Sequence, residues 1–121
     1  MPKVNIVKAA SLSGHAGSIY ILLSDPQAPN IFYSGSGDGK VIRWDLSDFS
    51  KGVVLAQVPS NIFSLLMIPQ LDKMLVGQLQ GGIHVLDLKE KKEVRHLAYH
   101  TQGVFDLQYD AAQNLVLAAG G

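Results

Sequence analysis

The stretch SGSGDGKVIRWDL, residues 34–46, decides how the rest of the chain is interpreted. Its Asp38-Gly39 pair lies between two runs rich in aromatic and β-branched residues, and the second run ends on Trp44, the only tryptophan. An Asp-Gly pair in this setting is a strong signal for a tight β-hairpin turn. We therefore predict two antiparallel strands that are joined at Asp38.

Short strand-like runs surround this hairpin, and their order recurs at an offset of 42 or 43 residues. Residues 62–66 match 19–23, residues 74–77 match 32–35, and residues 83–88 match 41–46; a third copy begins with residues 104–107 and 116–119. Two further strands are predicted over residues 3–12 and 93–99. A period in the low forties with four short strands per unit is typical of a β-propeller. The predicted fold is all-β, built from four-stranded antiparallel blades.

The composition excludes several classes of protein. Of the 121 residues, 47% are hydrophobic and 17% are charged, as in a globular protein with a packed core. Ten Lys and Arg residues balance ten Asp and Glu residues, so we expect neither nucleic acid nor a membrane as partner. The absence of cysteine excludes disulfides and thiolate metal sites. No apolar run could span a bilayer, and we expect a cytoplasmic protein.

Gly14-His15, the turn residue Asp38 and the Trp44-Asp45 pair together resemble one repeat of the WD40-type β-propeller family. The resemblance covers about two and two-thirds repeats, with a full motif in the first repeat and weaker motifs in the others. It implies a ring-closing outer strand at residues 3–12, a first repeat at 13–58, a second at 59–100 and the start of a third at 101–121.

The resemblance also implies that the chain is the N-terminal part of a longer ring. Such propellers have four to eight blades, so we expect roughly seven blades in roughly 300 residues. The turn aspartate of the third repeat would follow directly after Gly121. The missing blades would come from the same longer chain, from a second chain or from self-association.

A structural hydrogen-bond set in the first blade is a further implication of the resemblance. The matching positions are His15, Ser34, Asp38 and Trp44, with Ser36 as the rival of Ser34. A buried indole N–H needs an acceptor, a hydroxyl both accepts and donates, and a carboxylate can fix the tautomer of an imidazole.

The second repeat lacks this set. Val58, Val76, Gln80 and Leu86 fall at the histidine, serine, aspartate and tryptophan positions. We therefore expect the second blade to depend on apolar packing, with only Asp87 left of the Trp-Asp signature.

Serine, histidine and aspartate in one repeat also raise the alternative of a hydrolase triad. Ser34 is predicted in a hairpin arm, however, rather than in the strand-to-helix elbow that presents a nucleophile. The glycines at positions 35, 37 and 39 similarly lack a following helix N-terminus, which an anion site would require. A structural set and turn glycines are favoured, and no catalytic residue is predicted.

No cofactor or metal is predicted either. His96 and His100 are four residues apart on a predicted strand, where both side chains would share one face and two imidazoles could hold a metal. The sequence places no third ligand near them. The charged residues 88–93 are predicted to form a solvated loop, in which lysines alternate with glutamates and make no basic patch.

The predicted function is a non-enzymatic scaffold that binds partner proteins or peptides. By analogy with the family, the partner would dock on the ring face where loops entering the inner strands meet the tight turns. The candidate residues on this face are Ser18, Tyr20, Gly37, Asn61, Phe63, Leu79, Gln102 and Phe105. The aromatic members could instead pack between blades. The alternatives are a propeller enzyme or small-ligand binder that uses the central channel, and a regulatory lid on another domain.

Overall fold

The structure is a computed structural model that describes residues 4–98 and 102–120. The described residues form ten β-strands in three antiparallel sheets and no α-helix. Blade 1 has the strand order β1 (Ile19–Ser24), β2 (Ile31–Ser36), β3 (Lys40–Asp45) and β4 (Asp48–Gln57). Blade 2 has the order β5 (Ile62–Ile68), β6 (Lys73–Gln78), β7 (Ile83–Asp87) and β8 (Lys92–Leu97). The third sheet pairs β9 (Val104–Asp110) with β10 (Leu115–Gly120). The prediction of antiparallel four-stranded sheets is confirmed.

The hairpin at residues 34–46 forms the centre of blade 1. Phe32 pairs with Trp44 across β2 and β3, and the turn between these strands contains Gly39 with a φ of 79°. Every β2 residue except Phe32 is buried, because both faces of an inner strand pack against neighbours. In β3, Val41, Ile42 and Trp44 are buried.

The same backbone hydrogen bonds recur in the two complete sheets. The Gly37 N–H donates to the Ser18 carbonyl at 2.8 Å in blade 1, and the Leu79 N–H donates to the Asn61 carbonyl at 2.8 Å in blade 2. These residues are 42 and 43 positions apart along the chain. The repeat seen in the sequence is therefore also a repeat of backbone geometry. A 3-10 turn (Pro69–Leu71) joins β5 to β6.

The core lies between the sheets rather than inside one of them. One cluster joins blades 1 and 2 and consists of Ile31, Tyr33, Val41, Val58, Ile62, Leu65, Met74, Val76 and Leu86. A second cluster joins blade 2 to the third sheet and consists of Ile68, Leu75, Ile83, Val104 and Leu107. Face-to-face packing of this kind is expected when a single sheet cannot bury its apolar faces alone.

The strand predicted over residues 3–12 is wrong for the part that the structure describes, because residues 4–12 form no strand. Val4, Ile6 and Val7 are 82%, 91% and 82% exposed. A strand needs a hydrogen-bonded neighbour, and none of the described sheets pairs with this segment. Its ring-closing role and the repeat boundaries stay predictions.

Two other boundaries differ from the sequence prediction. The solvated loop predicted over residues 88–93 is a turn only at 88–91, because Lys92 already begins β8. The strand predicted over residues 93–99 ends at Leu97, and Tyr99 lies outside the described residues. Within residues 4–98 and 102–120, the structure contains no helix with the length and apolar character needed to cross a membrane.

Candidate functional site

A chain of hydrogen bonds joins four side chains of blade 1 that come from four different segments. His15 Nδ1 lies 3.1 Å from Asp38 Oδ2, and His15 Nε2 lies 2.5 Å from Ser34 Oγ. The indole Nε1 of Trp44 donates to Ser34 Oγ at 2.8 Å. The structure thus brings together the segment before β1, strand β2, the β2–β3 turn and strand β3.

One arrangement of protons satisfies every atom of this chain. The His15 Nδ1–H donates to the Asp38 carboxylate, which leaves Nε2 free to accept from the Ser34 hydroxyl. The Ser34 oxygen then accepts from the Trp44 indole. Ser36, the rival position, is also buried but accepts from the backbone N–H of Asp38 at 3.3 Å. Ser34 is therefore the hydroxyl that contacts both rings.

The Asp38 carboxylate holds the segment before β1 against the hairpin turn. It accepts hydrogen bonds from the backbone N–H groups of Lys40 and Ala16, both at 2.9 Å. Burial alone would raise the pKa of this carboxyl, but the hydrogen bonds from Lys40, Ala16 and His15 outweigh burial and lower the pKa from 3.8 to about 2. The carboxylate therefore stays ionised at neutral pH.

The order Asp38, His15, Ser34 has the connectivity of a hydrolase triad, but the serine cannot serve as a nucleophile here. Ser34 is only 1% exposed, and its oxygen already contacts the Trp44 indole and the His15 ring. A substrate carbonyl would need an open approach to this oxygen. The arrangement is suited to rigidifying the blade.

A glycine precedes His15 because the backbone at position 14 approaches the Trp44 ring closely. A Cβ atom at this position would lie 3.1 Å from Cη2 of Trp44 and 3.4 Å from Cδ1 of Ile42. The backbone therefore passes directly over the indole ring, and this close approach puts His15 within reach of Ser34. The Gly-His pair and the distant tryptophan are thus parts of one packing arrangement.

Blade 2 contains a different polar network, which the sequence analysis missed. Gln78 is 3% exposed, and its Nε2 donates to the carbonyls of Gln80 at 2.9 Å and of Gly81 at 3.0 Å. The Gly81 carbonyl also accepts from His96 Nε2 at 2.8 Å. These bonds close the β6–β7 turn from inside the sheet.

Two histidine rings continue this network across the outer strands. His84 and His96 stack in parallel with ring centroids 4.3 Å apart, and the buried His84 binds Glu93 through Nδ1. Blade 2 therefore combines the expected apolar packing with a polar network that was not predicted. A cross-strand pair such as His84 and His96 becomes visible only when the register of β7 and β8 is known.

The metal hypothesis paired His96 with His100, and His100 lies outside the described residues. His96 itself uses Nε2 for the hydrogen bond to Gly81. Among residues 4–98 and 102–120, no group of three potential metal-binding side chains is close enough to hold an ion.

Three aromatic side chains of the predicted partner face form a continuous stripe across the inner strands. Tyr20 contacts Phe63 edge-to-face with centroids 4.8 Å apart, and Phe63 stacks on Phe105 at 5.2 Å. Tyr20 is still 48% exposed and Phe105 54% exposed, whereas Phe63 is half-buried. The rings therefore pack between blades and also present apolar surface to solvent.

Each ring of this aromatic stripe occupies a β-bulge, which was not predicted. The register skips Tyr20 between Ile19 and Ile21, and it skips Phe63 and Phe105 in the same way on β5 and β9. A bulge leaves one residue unpaired and re-aims its side chain. Three bulges at matching positions thus turn three aromatic rings toward one another.

The tight turns lie beside the aromatic stripe. A Cβ atom at Gly37 would lie 3.5 Å from Tyr20 Cε2 and 3.5 Å from Asn61 Nδ2. Ser18 is exposed, and it reaches Gly37 through its backbone carbonyl. Of the remaining candidates, Leu79 is half-buried beside Asn61, and Gln102 is exposed before β9.

Comparison with known proteins places these features in context. The chain is 33% identical over 84 residues to the mouse WD repeat and FYVE domain-containing protein 1, which covers 69% of this chain and 20% of that protein. It is 29% identical over 87 residues to periodic tryptophan protein 2 of Saccharomyces cerevisiae, which covers 72% of this chain and 9% of that protein. The matches point to WD-repeat proteins. No family model matches the chain.

The chain spans a fifth or less of the length of these two relatives. The similarity therefore concerns only a part of each relative. Antiparallel four-stranded sheets are compatible with WD-repeat blades.

Proposed function

We propose that the chain is part of a non-enzymatic protein-interaction scaffold of the WD40 type. The proposal rests on the aromatic stripe of Tyr20, Phe63 and Phe105. The three rings contact one another, while Tyr20 and Phe105 remain about half-exposed to solvent. Large aromatic side chains are enriched at the energetic centres of protein interfaces because they bury much area at little conformational cost.

The partner in this proposal is a protein or peptide that docks across the stripe and the neighbouring turns. Further blades, from the same longer chain, from a second chain or from self-association, would close the ring. The same proposal includes a cytoplasmic location and the absence of nucleic-acid and membrane partners. The zero formal net charge supports the absence of these partners.

The test compares partner capture by the full-length protein with capture by Tyr20→Ala and Phe105→Ala variants. The matched control is Leu71→Ala, since Leu71 is also 48% exposed but lies beyond the far end of β5 from Phe63. We expect the aromatic variants to lose partners by quantitative cross-linking mass spectrometry at an unchanged melting temperature. Retained partners, or loss of fold and binding together, would contradict the proposal.

A further inference from the structure

A groove lies between blade 1 and blade 2 on the side away from the inner strands. It consists of a cavity of 180 Å³ and a cavity of 610 Å³. Both cavities are lined by Leu55, Leu88 and Lys91, so they form one continuous groove. One wall is the outermost strand of blade 1, and the other is the β7–β8 turn of blade 2. Both walls belong to the described residues.

The groove has an apolar floor that is open to solvent. Val53 on β4 pairs with Arg43 and is 54% exposed, and Leu55 further along the strand is half-buried. Leu88 adds an apolar side chain from the facing turn. Exposed and half-buried aliphatic side chains beside an outer strand indicate a surface that another chain can cover.

The charges around this floor are unbalanced. Arg43, Lys91 and Lys92 line the groove, and none of them forms an ion pair with another residue that the structure describes. The lining carboxylates are both engaged, since Asp87 binds Lys73 at 2.9 Å and Glu93 binds His84. The Arg43 guanidinium also interacts with the Tyr33 hydroxyl and the Asp45 carboxylate, so the free positive charge beside the apolar surface comes from Lys91 and Lys92. Complementary ligands carry carboxylates.

We propose that this groove binds an extended peptide segment of a partner protein in which leucine-sized side chains adjoin acidic residues. The apolar side chains would enter the smaller cavity beside Leu55 and Leu88, and the carboxylates would reach Lys91 and Lys92. This second docking surface is independent of the aromatic stripe, so either proposal can fail while the other holds.

The test is fluorescence anisotropy with the full-length protein and a labelled peptide that contains Leu-Leu-Asp-Glu-Glu between Gly-Ser linkers. Charge reversal with Lys91→Glu, alone and together with Lys92→Glu, is compared with Lys89→Glu. Lys89 lies in the same turn but does not line the groove. We expect the double variant to weaken binding by about tenfold or more and the control to change it by less than about twofold. Circular dichroism checks that each variant is folded, and the single Lys91 variant serves if the double variant is not.

Three further measurements can each overturn the proposal. An Asn/Gln version of the peptide must bind more weakly than the acidic one; equal binding would remove the role of the free cations. Tyr20→Ala must leave peptide binding unchanged; a loss would place the peptide on the aromatic stripe. Sedimentation must not reveal self-association of the wild-type protein that Lys91→Glu abolishes. Such a result would mean that a second copy of the chain occupies the groove. An absence of saturable binding to the wild-type protein would also refute the proposal.

Discussion

Ser34 is the residue on which the polar set of blade 1 depends, because it alone contacts both rings. Its hydroxyl oxygen accepts from Trp44, and its proton is donated to His15. Ser34 and Trp44 are 1% and 4% exposed, so water cannot replace a lost partner there. A buried donor without an acceptor keeps its full desolvation cost.

Replacement of Ser34 by alanine is therefore expected to destabilise the protein by about 1–3 kcal/mol. The physical reason is the unpaired indole N–H, so the loss should shrink when Trp44 is also replaced by phenylalanine. Urea unfolding of Ser34→Ala, Trp44→Phe and the double variant measures the coupling. Additive losses would show that the Ser34–Trp44 bond contributes nothing.

The lowered pKa of Asp38 predicts a specific loss of stability in acid. The carboxyl titrates at 3.8 ordinarily and at about 2 in the folded protein, so the unfolded chain takes up the proton first as the pH falls. The stabilising effect is full above pH 4 and is lost between about pH 4 and pH 2. Urea midpoints at pH 5, 4 and 3 should fall more steeply for the wild type than for Asp38→Asn. Identical slopes would contradict this assignment.

The polar set of blade 1 was predictable at the residue scale, whereas the network of blade 2 was not. The resemblance to a known repeat assigned His15 and Ser34 in advance. Gln78, by contrast, occupies no motif position, and its two carbonyl partners lie in a turn whose backbone direction only the structure gives. The β8 bulge that accompanies the Glu93–His84 contact is equally invisible in one sequence.

At the scale of elements, the tight turns connect one blade to the next. The Gly39 carbonyl accepts from the Val58 N–H at 2.7 Å, and Val58 belongs to the cluster between blades 1 and 2. The turn of the central hairpin is thus packed against the segment that leads into blade 2. A side chain at position 39 of this turn would have no free space.

Two glycines allow this contact to be measured. Gly39 and Gly81 have nearly equal φ values of 79° and 82°, but a Cβ would lie 2.3 Å from the Val58 carbonyl oxygen at Gly39 and would meet nothing at Gly81. Gly81→Ala should cost only the left-handed strain, about 1–2 kcal/mol. Gly39→Ala should cost roughly 3 kcal/mol or more, because the neighbouring backbone must move. Equal losses in urea unfolding would show that the turn does not support blade 2.

Strand prediction succeeded where the neighbouring strand lies in the described part of the chain. The hairpin strands have local partners that the Asp-Gly turn brings together, and they formed as expected. Residues 4–12 carry a similar mixture of apolar and polar residues but pair with none of the described strands. Strand formation depends on cross-strand contacts as well as on composition, so alternation alone was insufficient.

At the scale of the whole molecule, stability comes from contacts between neighbouring sheets. Met74, which is fully buried, lies in the cluster that joins blade 2 to blade 1, and Leu107 lies in the cluster that joins blade 2 to the third sheet. In such arrays each unit is stabilised mainly by its nearest neighbours. The two clusters can therefore be weakened separately.

Met74→Ala and Leu107→Ala should each cost about 2–5 kcal/mol, but they should affect different strands. Met74→Ala is expected to raise amide hydrogen exchange in β2, β3 and β6, because both blades lose a shared contact. Leu107→Ala should raise exchange in β6, β7 and β9 and leave β2 and β3 largely unchanged. Exchange measured by mass spectrometry on the full-length protein distinguishes the two patterns. If Met74→Ala changed only blade 2, the blades would be stabilised internally, and coupling between neighbours would be refuted.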